Sequence, residues 1–155
     1  MARGATDSGV DIAESPCMHD PRNLGSAGER AARKYLQRRG WTILATNLRG
    51  SAEIDLVAQR AGFVIGCEVK TRHDRHTGYP SVSHAQRLRL MRALEAFVTI
   101  RQGLHKHQLR LDLLLVEPRV PGMRVRHLPG ALGDPDSTAS NSFSLGYATD
   151  WNDRR

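Results

Sequence analysis

Two apolar runs of strand length, Glu53-Ile54-Asp55-Leu56-Val57-Ala58-Gln59 and Phe63-Val64-Ile65-Gly66-Cys67-Glu68-Val69-Lys70, flank a turn at Ala61-Gly62. Runs this short, bounded by turn residues, predict neighbouring antiparallel strands. Each carries charge where a structural strand avoids it. Side chains alternate along a strand, so Glu53 and Asp55 share one face, as do Glu68 and Lys70. In a meander both charged pairs converge near one edge of the sheet. Two carboxylates about 4 Å apart repel by roughly 4 kcal/mol at an effective dielectric near 20. Gathering Asp55 and Glu68 therefore benefits a fold only where a cation neutralises them. Hard oxygen ligands with water left over suit Mg²⁺ or Mn²⁺, and Lys70 can then orient or deprotonate a water and stabilise charge on a phosphate. Spacing alone also fits a simpler account, because Glu-x-Lys on a strand is common and usually marks a solvated face.

The rest of the chain supplies a frame for this hairpin. Leu24, Gly28, Ala31, Ala32, Tyr35 and Leu36 recur at helical spacing, predicting a helix over 25–39 that Gly40 stops. Trp41–Asn47 reads as a first strand. Ser83–Arg101 reads as a second helix with Leu90, Leu94, Phe97 and Val98 on one face and Arg89 and Arg92 opposite. Gln108–Glu117 and Arg124–Leu128 complete the strands. The expected fold is α/β in the order α-β-β-β-α-β-β, with a helix before and a helix after the meander to cover its two faces. Residues 24–132 form the expected domain. Residues 1–23 and 133–155, rich in Gly, Ser, Asp and Pro, are expected to be flexible tails.

Charge is unevenly spread. The net +7 resolves into −3 over 1–21, +12 over 22–130 and −2 over 131–155. A basic body between acidic ends favours a polyanion, most simply nucleic acid, although a soluble basic surface fits charge alone equally well. No apolar run approaches the roughly 18 residues of a membrane helix, and the N-terminus lacks a signal-peptide core, so a cytoplasmic protein without membrane contact is expected. Cys17 and Cys67 make no disulfide framework, and Cys67 reads as a buried core residue. His73, His76, His84, His105 and His107 show neither paired cysteines nor a His-Glu-x-x-His helix, so no zinc signature exists.

Four segments in order, Gly25–Ala32, Asn47-Leu48-Arg49, Glu53–Ala58 and Glu68–Arg72, resemble the successive motifs of the YraN-like bacterial family. The likeness continues through Gly78, Arg87–Phe97, Arg110-Leu111-Asp112 and Arg126-His127-Leu128, spanning about 23–132. That family is assigned to the PD-(D/E)XK, Holliday-junction-resolvase-like nucleases, whose core is a mixed central sheet flanked by helices. The resemblance implies a Mg²⁺-dependent endonuclease on structured or branched nucleic acid, DNA before RNA. It implies Asp55 and Glu68 as metal ligands, the Val69 carbonyl as a third, Lys70 as the catalytic lysine and Glu29 as an acid close to the metal. Glu29 has a second account, since Ser26-x-x-Glu29 matches a helix capping box. Glu53 reads as a neighbour of the site and not a ligand. Arg72, Arg75, Gln86, Arg87, Arg89 and Arg92 are the expected nucleic-acid contacts. Resolvases of this kind act as homodimers, although no dimer surface is legible.

Two positions depart from the family pattern. Ala52 stands where the family has glycine before Glu53, and Gln86 stands where the second helix usually opens with lysine. The lost cation motivates an alternative: a non-catalytic nucleic-acid-binding module that keeps the nuclease fold.

Overall fold

A computed structural model describes residues 21–72 and 82–133. Both expected tails, Arg75, His73, His76, Gly78 and Cys17 lie outside the described residues, apart from the few tail residues next to each boundary. The elements are α1 (Pro21–Arg38), β1 (Thr42–Arg49), β2 (Glu53–Arg60), β3 (Phe63–Thr71), α2 (His84–Thr99), β4 (Gln108–Pro118) and β5 (Met123–Leu128). Their order matches the sequence expectation. The sheet runs β1-β2-β3-β4-β5. β1, β2 and β3 form the antiparallel meander, β3 and β4 pair in parallel, and β5 returns antiparallel to β4. Parallel pairing needs a crossover, and α2 supplies it.

The two faces carry two cores. On one, Leu90, Ala93, Leu94, Phe97 and Val98 of α2 pack on Ile54, Val57, Val64, Leu111 and Leu113. On the other, Ala32 and Leu36 of α1 pack on Leu56, Ile65, Cys67, Leu114 and Val116.

The start of α1 differs from expectation. The helix already runs at Pro21, the first described residue, four residues before Gly25 and inside the expected N-terminal tail. Ser26 is consequently a helix-interior residue whose hydroxyl donates to the Arg22 and Asn23 carbonyls at 3.1 and 3.3 Å. The capping-box account of Glu29 is therefore incorrect. That geometry occurs at α2, where the Ser83 side chain accepts from the Gln86 N–H at 3.2 Å. The far end of α1 closes as read: Gly40 has φ +81°, with Gly40 N–H bonded to the Gln37 carbonyl and Trp41 N–H to the Leu36 carbonyl. These two bonds satisfy the Leu36 and Gln37 carbonyls, two of those left open at the end of the helix.

Candidate metal and nucleic-acid site

Asp55 is positioned by an irregularity in β2. Ile54 belongs to the core under α2, Leu56 to the core under α1 and Val57 again to the α2 side, so strict alternation fails between Ile54 and Leu56. Across the β1–β2 ladder, Thr46 pairs with Leu56 and Leu48 with Ile54, which sets Asn47 opposite Asp55. Asn47 has φ +48°, a left-handed conformation that asparagine tolerates better than most residues. On the other side, the β2–β3 ladder runs from Arg60–Phe63 to Leu56–Cys67 and stops. The Asp55 side chain occupies the gap, its Oδ2 accepting the Val69 N–H at 2.7 Å. The sequence marks Asn47 as part of the Asn47-Leu48-Arg49 motif, but not its place opposite Asp55.

Glu68 and Lys70 follow on β3 and pair with each other. Glu68 is 13% exposed and Lys70 40%, so the carboxylate is inside and the ammonium reaches solvent. Asp55, Glu68 and Glu53 line one cavity of about 330 Å³ with Ser51, Ala52 and, from α2, Gln86, Arg89 and Leu90. Glu29 approaches from the opposite helix. Gly28 makes that approach feasible, because a Cβ there would sit 1.8 Å from Thr71 Oγ1 and within 3.3 Å of the other Thr71 side-chain carbons. Burial pushes the Asp55 carboxyl up from its ordinary 3.8 to about 6; the Val69 N–H opposes this, Glu68 and Glu29 add to it, and Lys70 lowers it. The cluster thus has surplus negative charge that a cation would relieve.

The donor set limits which ion fits. Among the described residues no group of three or more His, Cys, Asp or Glu side chains is arranged to hold a metal. A closed zinc site or an all-protein calcium cage is not formed by them. Mg²⁺ asks for less, since one or two carboxylates with water and substrate phosphate suffice. Asp55 and Glu68 each keep an oxygen beyond the one engaged by Val69 or Lys70. In a strand, a residue's N–H and C=O point to the same edge, so the Val69 carbonyl also faces the Asp55 side.

The expected nucleic-acid contacts divide. Arg89 is exposed and lines the cavity, and Gln86 is beside it in the wall. Arg92 is exposed one turn further along α2. Arg87 is half-buried with its Nε buried and unpartnered. Arg72 is half-buried, and its N–H bonds to the Val116 carbonyl. Both departures from the family pattern, Ala52 and Gln86, are in the cavity wall. Ala52 is not among the positive-φ residues, so its backbone does not require glycine. His84 and His105 are exposed, while His107 is half-buried against Gln59. Cys67 is buried, and burial followed by the Asp112 carboxylate pushes its thiol up, which suits a core residue and not a nucleophile.

A second acid went unassigned in the sequence. Asp112 on β4 is fully buried on the α1 side and accepts from Arg110 Nε and Nη2 at 2.7 and 2.8 Å and from the Gly130 N–H at 2.8 Å. His127 Nε2 lies 2.7 Å from Oδ2, the oxygen that also accepts from Arg110 Nη2, and the His127 ring is held edge-on by Tyr35 and Trp41. Burial would push this carboxyl up, but the hydrogen bonds from His127 and Arg110 outweigh it and hold it below the usual range. Asp112 ties β4, β5 and the following turn together. Its traces in the sequence are Arg110-Leu111-Asp112, with the two charges at strand period 2, and Arg126-His127-Leu128, but nothing in either segment says that they meet.

The sequence profile of the uncharacterised protein family UPF0102 matches residues 28–116. A UPF0102 protein of Synechococcus sp. (strain JA-3-3Ab) is 43% identical over 104 residues, 64% of this chain and 79% of its own length. UPF0102 protein STH1475 of Symbiobacterium thermophilum is 40% identical over 114 residues, 71% of this chain and 96% of its own. UPF0102 protein RPA0323 of Rhodopseudomonas palustris is 37% identical over 108 residues, 69% of this chain and 81% of its own. The profile's span contains Glu29, Asp55, Glu68, Lys70 and Arg89 and ends before β5.

Proposed function

We propose that the chain, which belongs to the uncharacterised protein family UPF0102, is a Mg²⁺-dependent endonuclease hydrolysing phosphodiester bonds in structured or branched DNA. UPF0102 is the YraN family, and its superfamily is that of the PD-(D/E)XK-like nucleases. One observation carries the reading: Asp55 and Glu68 open into a single cavity whose other wall is α2, where Arg89 stands beside Gln86 and Leu90. A bound Mg²⁺ would supply Lewis acidity toward a phosphate oxygen and a more acidic water. Asp55 and Glu68 would hold it. Lys70, at the solvent end of the Glu68 pair, orients the attacking water and meets the charge that grows on the phosphate. Arg89, in the same wall as Gln86, supplies a cation close to where the family places its lysine.

Gln86 itself favours the second reading, a nucleic-acid-binding module without catalysis, because it replaces a charged side chain in the cavity wall. Linear, nicked, flapped and four-way DNA, each incubated with Mg²⁺ or Mn²⁺ and with chelator, separates the two. Metal-dependent cutting of a branched substrate is expected. Binding without cutting under any of these conditions favours the module, and absence of binding to all nucleic acids rejects both. Among the described residues no helix is long and apolar enough to cross a membrane.

A further inference from the structure

The side of α1 turned away from the sheet is a row of cations that the fold itself does not use. Arg30, Arg33, Lys34 and Arg38 are exposed, and no hydrogen bond or ion pair engages their side chains among the described residues. The remaining exposed positions of the helix are Arg22, Asn23, Ser26 and Gln37, so no acid interrupts the row. The helix's one acid, Glu29, is half-buried and acts on Asp55. Arg30, Lys34 and Arg38 follow one another at i, i+4. Like charges at that spacing destabilise a helix by roughly 0.2–0.5 kcal/mol per pair. A repulsive row that contributes nothing to packing is the footprint of a polyanion.

We propose that the outer face of α1 is a second phosphate-binding surface, holding a duplex arm of the nucleic acid whose scissile bond enters the Asp55–Glu68 cavity. This rests on the nucleic-acid reading above and extends it to a face assigned no such role. Placement supports it. Gly28 presses against Thr71, next in chain to Lys70, so the row starts beside the site. From Arg30 to Arg38 it then runs about 12 Å along the helix axis. Its cations lie on the opposite side of the sheet from Arg89 and Arg92, and their contacts add to those of α2. An anionic membrane is the poorer partner. Membrane-surface helices insert an apolar face, whereas the apolar side of α1, including Ala32 and Leu36, is already spent on the sheet.

The test compares wild type with Arg30→Gln/Arg33→Gln/Lys34→Gln/Arg38→Gln and with Arg89→Gln/Arg92→Gln, by titrating a 30-base-pair duplex and a four-way junction over a range of salt. Glutamine keeps helix propensity, and circular dichroism with thermal melting checks folding. The α1 variant is expected to melt no lower than wild type, to bind at least tenfold more weakly at moderate salt, and to lose about 3 from the log–log salt slope. An unchanged slope in the folded α1 variant, with a reduced slope in the α2 variant, overturns the α1 surface and leaves the nucleic-acid reading standing. Wild type that binds neither DNA overturns that reading itself. Wild type that instead binds phosphatidylserine vesicles through these four residues overturns the choice of nucleic acid.

Discussion

Asp55 Oδ2 accepts the Val69 backbone N–H at 2.7 Å, so a side chain of β2 takes the place of a ladder partner for β3. The same contact fixes the carboxylate beside Glu68 and opens the sheet where a cation would enter. Burial of this carboxylate, which the Val69 hydrogen bond only partly offsets, makes the metal-free protein sensitive to pH. Burial, with Glu68 and Glu29, raises Asp55 to about 6 in the folded state. Between about pH 4 and 6 the folded chain then holds more protons than the unfolded one, so stability falls as pH rises through that window and levels above it. The loss is on the order of 2 kcal/mol after allowing for partial exposure. Asp55→Asn keeps an acceptor for Val69 and removes the charge. Urea titrations from pH 4 to 7 without metal should show wild type declining relative to the variant, and the variant more stable at pH 7. Mg²⁺ should reverse the order at pH 7, because the amide is a poor ligand.

Catalysis and binding should separate at Lys70 and Glu29. Lys70→Ala should abolish cleavage with little change in DNA affinity, since one cation among 20 basic residues over 22–130 adds little to the total field. Glu29→Gln has no cap to disturb, so a loss of turnover with an unchanged melting temperature identifies it as part of the site. Full activity in Glu29→Gln would remove it from the site.

Gln86 makes the opposite change available. Gln86→Lys places the family's cation in the cavity wall and should raise cleavage or DNA affinity severalfold. The same lysine sits in the first turn of α2, where the helix dipole disfavours positive charge by about 0.3–1 kcal/mol. A slightly lower melting temperature should therefore accompany the gain. A variant with neither gain would show that Arg89 already fills the role.

The order of elements was legible because each announced itself locally: α2 by Leu90, Leu94, Phe97 and Val98, and the β2–β3 hairpin by Ala61-Gly62 between apolar runs. The convergence of Asp55 with Glu68 was legible for the same reason, as strand period and a short turn fix the register. Three features were not legible. Helix α1 already runs at Pro21, because the hydrophobic period that marks the helix starts only at Leu24 and the turn before it carries no apolar signal. The slip of alternation at Asp55 coincides with the left-handed Asn47, which lies opposite it across the sheet and not along the chain. The Asp112 network draws on Arg110, His127 and Gly130, whose meeting requires the parallel β3–β4 and antiparallel β4–β5 pairings together.

Asp112 should behave as a stability residue. Its carboxyl lies below the usual range, so its contribution is present above the unfolded value and is lost as pH falls through the folded one, opposite in sign to Asp55. Asp112→Ala leaves the Arg110 guanidinium and the Gly130 N–H without their acceptor and should cost about 3–5 kcal/mol in urea unfolding at pH 7. Asp112→Asn keeps two of the hydrogen-bond positions and should cost less. A loss under 1 kcal/mol for Asp112→Ala would show that water replaces the carboxylate.

The hairpin turn offers a stabilising change far from the site. Arg60 pairs with Phe63, leaving Ala61 and Gly62 as a two-residue loop with φ of +48° and +82°. Two positive values in succession match the turn whose hand follows the twist of the strands, and Asn-Gly is its preferred sequence. Alanine in the left-handed region carries a cost of about 1–2 kcal/mol from its Cβ against the carbonyl, which asparagine largely avoids. Ala61→Asn should therefore raise stability by about 0.5–1 kcal/mol, read as a higher urea midpoint at an unchanged slope. Ala61→Gly removes the same clash but loosens the unfolded chain, so it should gain less than Ala61→Asn. The turn closes the end of the hairpin away from Asp55 and Glu68, and both variants should bind and cleave as wild type does. A lower midpoint for Ala61→Asn would show that the strands, and not the turn residues, set the backbone at Ala61.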